Sequence, residues 1–241
     1  MTAKELFQAG KLNEAIEALG VEVRDNPTDA RRRTFLFELL CFKGEYDRAE
    51  KHLNILADAT PDSRVGAVLY FSALHAERLR QDLFQKKDYP VTPAAGNPRG
   101  GTINGQPFES LEDADPRVGP RLELFAAGAY LWIPFEHIES IEMEAPKRLR
   151  DLLWAPALVR TGPAFKEKEL GEVLLPVLAP FSWKNPDDDV KLGRSTVWTE
   201  NDGDSRLPAG QRMFSVDDED FPLLEIRKIE FTPADSDPQA D

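Results

Sequence analysis

A single cysteine, Cys41, stands among the 241 residues, which excludes an internal disulfide framework. It lies within the apolar stretch Phe35 to Phe42, where a free cysteine behaves as a small hydrophobe and not as a reactive thiol. Histidine is nearly as scarce. His52, His75 and His137 lie far apart, without the spacing of a metal-ligand set, so no metal site is expected. No apolar run approaches the ~18 residues needed to span a bilayer. The segment Met1-Thr2-Ala3-Lys4-Glu5 lacks the apolar core of a signal peptide, and the expected location is the cytoplasm, with no membrane partner. The chain also lacks a P-loop, a Gly-x-Ser-x-Gly elbow, a Cys-x-x-Cys pair and a His-Glu-x-x-His pair. The familiar phosphate, hydrolase and zinc signatures are thereby excluded, and no cofactor and no catalytic residue is expected.

Positive charge is the remaining deficit. There are 30 Lys and Arg against 43 Asp and Glu, a formal net charge of −13. The excess is uneven: residues 1–88 are close to neutral, and residues 89–241 carry nearly all of it. Such a field repels phosphate backbones, so nucleic acid is not an expected partner. The one basic cluster, Arg31, Arg32 and Arg33, reads first as a solvated helix face and second as a partner contact.

What is present is a repeat. Gly10, Leu12, Ala15, Leu19, Val23 and Pro27 recur 34 residues later as Gly44, Tyr46, Ala49, Leu53, Ala57 and Pro61, the tetratricopeptide period. Glycine permits the turn between antiparallel helices, alanine lets them approach, and proline marks the next break. Asp47 and Glu50 are read as a capping pair for the second unit. Phe35 to Phe42 is apolar on most sides, as a helix covered by neighbours would be. A further helix is expected from about Ser63 to Phe84, with Arg78 where a third turn glycine would fall, so the array ends incomplete and the next domain must cap it.

The composition changes at Asp88 to Gly101, which holds Pro90, Pro93, Gly96, Pro98 and Gly100. The expected organisation is a tetratricopeptide-like helical domain at 1–88, a linker at 89–101, an acidic β-rich domain at 102–231 and a mobile tail at 232–241. The fold class is thus α+β, with helical repeats followed by a β-rich, barrel-like second domain. Strands are expected at Leu122 to Phe125 and Tyr130 to Phe135, joined as a hairpin, and at Ile138 to Met143, Val173 to Val177, Thr196 to Thr199 and Leu224 to Phe231.

Acidic groups are plentiful, and Asp113 with Asp115, joined by Asp151, are the carboxylates singled out for a cation-dependent or acid/base hydrolase. Asp113-Ala114-Asp115-Pro116 reads more simply as a turn, and the runs Asp187 to Asp189 and Asp217 to Asp220 as solvated loops. The aromatics Tyr130, Trp132, Phe135 and Trp154 suit either the core or a groove for a partner helix, and they are the candidate protein-binding residues.

The repeat motif Phe35-Leu36-Phe37-Glu38-Leu39-Leu40-Cys41-Phe42 with Gly44, Arg48 and Ala49 resembles that of the ImpE proteins, also called TagJ or SciE. So do Gly105-Gln106-Pro107-Phe108-Glu109, Gly119-Pro120 with Leu122-Glu123, Tyr130-x-Trp132-x-Pro134-Phe135, Leu149-Arg150-Asp151-Leu152-x-Trp154, Gly210-Gln211-Arg212 and Phe221-Pro222-Leu223-Leu224. That resemblance implies a non-enzymatic accessory of type VI secretion. It would bind the amino-terminal helix of the small contractile-sheath subunit and be linked through it to sheath recycling by the ClpV ATPase. A general tetratricopeptide scaffold with another partner is the alternative, and a carboxylate-dependent hydrolase the third reading.

Overall fold

Two glycines, Gly10 and Gly44, both left-handed at φ +73° and +71°, turn the chain between paired helices. In the computed structural model, which describes residues 1–90, 99–162, 165, 170–200 and 206–232, the helical part runs through α1 (Ala3–Gln8), α2 (Leu12–Asp25), α3 (Ala30–Phe42), α4 (Tyr46–Ala57) and α5 (Pro61–Lys86). Each start has a local cause. Thr2 and Glu5 form a reciprocal capping box on α1, Asp29 accepts from the Arg32 amide, and Thr60 accepts from the Ser63 amide ahead of Pro61 in the first turn of α5.

The capping role expected of Asp47 and Glu50 is not what they perform. Both reach across to the guanidinium of Arg78 on α5, at 2.9 and 2.8 Å. Arg78 occupies the place of a third turn glycine, so α5 runs on as a helix of 26 residues, pinned sideways to α4. The amphipathic helices α2 and α4 bury Ala15, Leu19 and Val23, and Ala49, Leu53 and Ala57, the residues that recur. From Leu36 to Phe42 every side chain of α3 is buried.

The β part contains β1 (Gly101–Ile103), β2 (Gln106–Phe108), β3 (Leu111–Asp113), β4 (Arg121–Ala126), β5 (Ala129–Pro134), β6 (Ile138–Met143), β7 (Trp154–Thr161) and β8 (Gly171–Pro176). After a short helix α6 (Asp188–Lys191) come β9 (Thr196–Glu200), β10 (Arg206–Gly210), β11 (Met213–Val216), β12 (Glu219–Pro222) and β13 (Lys228–Phe231). Eight strands form one antiparallel sheet ordered β2-β1-β13-β6-β7-β8-β4-β5, while β10-β9 and β12-β11-β3 form two smaller ones. The barrel expected from sequence is therefore an open sheet with β2 and β5 at its edges. Closure is replaced by packing at the β5 end, where Trp132 lies against Phe84 of α5 at 5.8 Å and stacks on Tyr89 at 6.1 Å.

The hairpin β4–β5 turns through Ala127 and Gly128, both with positive φ, in register Ala126↔Ala129, the geometry of a two-residue primed turn. Phe135 leaves the expected strand and opens a 3₁₀ turn. Of the expected strand Leu224 to Phe231 only Lys228–Phe231 is extended, because Leu223–Glu225 is another 3₁₀ turn. Most of the expected linker, residues 91–98, and most of the expected tail, residues 233–241, lie outside the described residues.

Alternation along β4 divides the interior. Leu122 and Leu124 face a core shared with Ile133, Ile141, Phe214 and Ile229, whereas Glu123 and Phe125 face the helices. Phe125, Leu153, Trp154 and Leu192 belong to the same apolar core as α1 to α5. The sheet thus buries the helices, as the incomplete array requires.

The second part also straps the repeat turns. Asp188 accepts the Leu12 amide at 2.8 Å, Arg194 donates to the carbonyls of Phe7 and Gln8 at 2.6 and 3.2 Å, and the Trp183 ring lies against Gly44. The run Asp187 to Asp189 is not the solvated loop expected from composition. Asp187 caps α6, Asp188 caps α2, and Asp189 pairs with Arg194 at 3.3 Å.

Candidate functional site

The sheet face turned toward the helices carries an ionic network between α5 and the strands. The buried stripe of α5, Ala73, Glu77, Arg80 and Phe84, follows helical spacing and carries two charged residues into the interior. Arg80, 1% exposed, donates to both carboxylate oxygens of Glu123, at 2.8 and 3.0 Å. Glu123, fully buried on β4, also receives the Tyr130 hydroxyl and lies 3.4 Å from Arg212 Nε. Arg212 in turn pairs with Asp113 at the end of β3 and donates to the Pro176 carbonyl at 3.0 Å. Glu77 accepts from Trp154 Nε1 at 3.3 Å and from Gln81 at 2.7 Å.

Burial by itself would raise the Glu123 carboxyl, but the charges of Arg80 and Arg212 outweigh it and hold Glu123 below the usual carboxylate range. Asp113 goes the other way. Its burial dominates, Arg212 opposes it only in part, and the charge of Glu123 pushes it further up. The network is arranged to hold structure: each ion meets an opposite charge and, among the described residues, all are buried. A cavity bordered by Glu77 and Arg80 of the network, with Cys41, Tyr46, Trp154 and Trp183, has a volume of ≈ 20 Å³, enough for about one water and too small for a substrate. Burial pushes the Cys41 thiol up, so it lacks thiolate character.

The four candidate aromatics do not share one surface. Phe135 is 4% exposed and packs on Phe214 and Phe231 in the sheet core. Trp154, also 4% exposed, sits in the helical core beside Glu77. A partner would have to open the fold to touch either. Tyr130 and Trp132 are half-buried neighbours on β5, with Trp132 Nε1 donating to the Tyr130 hydroxyl; Tyr130 is engaged by Glu123 and Trp132 by Phe84.

The carboxylates proposed for hydrolysis are occupied. Asp113 accepts the Asp115 amide at 2.8 Å besides its pairing with Arg212. Asp115 accepts the Arg117 amide and guanidinium at 3.0 and 2.8 Å, and Asp151 accepts the Lys147 and Arg148 amides, both at 2.9 Å. The basic trio is divided as well: Arg31 is exposed, Arg32 pairs with Glu22 and Asp29, and Arg33 is buried, donating to the Pro27 carbonyl at 2.6 Å.

Sequence reasoning missed Arg80, Glu123 and Arg212 as a unit. A signal was present in Leu122-Glu123-Leu124-Phe125, where an acid interrupts an apolar strand. A buried carboxylate demands a cation, and the stripe of α5 supplies one. Among the described residues no cluster of His, Cys, Asp and Glu is arranged to hold a metal ion, and no helix is long and apolar enough to cross a membrane.

Comparison with known proteins agrees with this architecture. Residues 6–69 match a tetratricopeptide repeat model, and residues 105–230 match the model of the ImpE protein family. The chain is 32% identical to the type VI secretion system accessory component TagJ of Pseudomonas aeruginosa, over 98% of this chain and 93% of that protein. The crystal structure of protein VPA1032 from Vibrio parahaemolyticus shares the fold with a TM-score of 0.83 at 22% identity, covering 96% of this chain and 98% of that one. With more than half of its length matching the family model and nearly all of it aligned to a curated relative, the chain belongs to the ImpE family.

Proposed function

We propose that this protein is a non-enzymatic adaptor of type VI secretion, which binds the amino-terminal helix of the small contractile-sheath subunit and is linked through it to recycling of the sheath by the ClpV ATPase. The observation that carries the reading is the similarity to an accessory component of that system along almost the entire chain. The chemistry of the interior supports an adaptor. Its strongest charges are spent on one another between α5 and the sheet, and the carboxylates Asp113, Asp115 and Asp151 are held by guanidinium groups and backbone amides.

The helix α3 is covered by this chain's own Leu149–Leu152 turn and by Leu153 and Trp154, so that face is not open to a partner. A partner helix must dock elsewhere on the surface.

The test is calorimetric titration of the full chain with a peptide of the amino-terminal helix of the small sheath subunit from the same genome. Saturable heat with one-to-one stoichiometry is expected. Folded protein that gives no heat at several temperatures would instead leave a scaffold with a different partner.

A further inference from the structure

A groove runs along the outer side of α5. One wall is the helix face Val65, Val68, Leu69, Ser72 and Ala73, spaced i, i+3, i+4, i+7 and i+8. The other wall is Phe125, Pro156 and Leu174 of the sheet with the β4–β5 turn at Ala127 and Gly128. Its volume is ≈ 560 Å³. The end near Ser72 is closed, because a methyl group on Gly128 would stand only 3.6 Å from the Ser72 Cβ. The end near Val65 is open.

The groove exposes side chains that a solitary domain would cover. Val65, Val68 and Leu69 are 76%, 57% and 51% exposed, adjacent and on one face of the helix. Contiguous apolar surface of this kind marks an interaction site, whereas scattered single residues do not. The helix wall runs from Val65 to Ala73, ~12 Å of axis at ~1.5 Å per residue, which accommodates two to three turns of a helix lying alongside. A strand would leave its backbone groups without partners against these side chains.

Charge specifies the occupant further. Glu172 lines the sheet wall and is exposed, and Asp62 precedes Val65 by one turn on the same face of α5, also exposed. Arg150, the one cation lining the groove among the described residues, is already engaged, its guanidinium 5.0 Å over the Tyr70 ring and 3.7 Å from Asp151. The protein as a whole carries −13. A helix with an apolar stripe flanked by Lys or Arg is attracted and retained here, and an acidic one is repelled.

We infer that the groove between α5 and the β4–β5 hairpin is the docking site for an amphipathic partner helix with basic flanks. This rests on the adaptor reading for the identity of the helix, but the groove itself is defined by Val65, Val68, Leu69 and Glu172. The apolar contacts provide most of the affinity and Glu172 sets the charge preference.

The experiment uses the full chain and its V68K, L69K and E172K variants, with V21K on α2 as a control at another exposed valine, 47% accessible. Each is titrated with two peptides: the amino-terminal helix of the small sheath subunit, and a synthetic amphipathic helix with a leucine stripe and lysine flanks. Circular dichroism and melting temperature confirm folding, and sedimentation reports the mass. The expected result is at least 10-fold weaker binding of both peptides by V68K and L69K, a smaller loss that fades with salt for E172K, and no change for V21K.

Sheath-peptide binding that survives V68K and L69K overturns the groove while leaving the adaptor reading intact. Binding of the synthetic helix alone, lost in V68K, supports the groove and removes the sheath subunit as partner. Failure of both peptides to bind overturns both statements. A dimer of the wild-type chain that V68K dissociates also overturns the inference, because the occupant is then a second copy.

Discussion

Arg80 on α5 and Glu123 on β4 are joined by two parallel hydrogen bonds of 2.8 and 3.0 Å, with both side chains almost completely buried. The pair crosses the junction between the helices and the sheet. Since neither ion has water to fall back on, the two parts are coupled: separating them strands a charge in an apolar interior.

Removal of one partner should accordingly be severe. Arg80→Met or Glu123→Leu alone is expected to cost about 3–5 kcal/mol in denaturant unfolding, and the two together much less than the sum of the single changes. Additive losses in the double-mutant cycle would show that the pair does not act as a unit.

The turn glycines should be intolerant for two separate reasons. Gly44 has φ +71° and a Cβ placed there would lie 2.6 Å from the Trp183 ring, so Gly44→Ala is expected to cost about 2 kcal/mol or more. Gly20 lies inside α2 with nothing within 4 Å of an added Cβ, and Gly20→Ala should stabilise by about 0.5–1 kcal/mol. Thermal melts of the two variants should shift in opposite directions, and a common direction would contradict this account of the turn.

Glu38 provides a pH dependence with a definite sign. Burial raises its carboxyl to about 7, against partial opposition from Arg150 and with a further push from Asp151. A carboxyl whose folded pKa lies above its unfolded value of 4.5 favours folding in its neutral form. The benefit is present below about 4.5 and is lost as pH rises toward 7. Glu38→Gln should therefore melt higher than the parent at pH 8, by no more than ~3 kcal/mol in stability at ~1.4 kcal/mol per pKa unit, and equal it near pH 4.5. A gap that does not change between those pH values would mean the carboxyl is not titrating in this window.

The strap across the first repeat turn should matter locally. Asp188→Ala deprives the Leu12 amide of its acceptor and is expected to cost about 1 kcal/mol. Hydrogen exchange should then speed at the start of α2 while the sheet amides keep their protection. Faster exchange throughout the chain would indicate that α6 secures the whole fold.

Much of this protein was legible from its residues. The 34-residue recurrence located the helix pairs because a turn glycine, a close-approach alanine and a break proline act through local geometry. The β4–β5 hairpin was legible for the same reason, as Ala127-Gly128 can turn between two apolar alternations. Strand β7 was not, since Pro156 and the alanines beside it lack the signature of a strand that is nonetheless central in the sheet. The candidate site was less legible still. Tyr130, Trp132, Phe135 and Trp154 have the composition of an interface, yet Phe135 and Trp154 are core residues. No pattern along a chain distinguishes an aromatic facing its own protein from one facing another.

The sequence by itself determined the helical period, the acidic balance and the family, all of which are written in local spacing and residue type. Tertiary structure decided which charges meet and which apolar residues remain uncovered. Arg80 and Glu123 are 43 positions apart and Leu12 and Asp188 are 176 apart, so their pairing depends on how the sheet closes over the helices. Val65, Val68 and Leu69 look like any buried helical stripe in sequence. They are exposed because the sheet covers the neighbouring face of α5 and stops at Gly128.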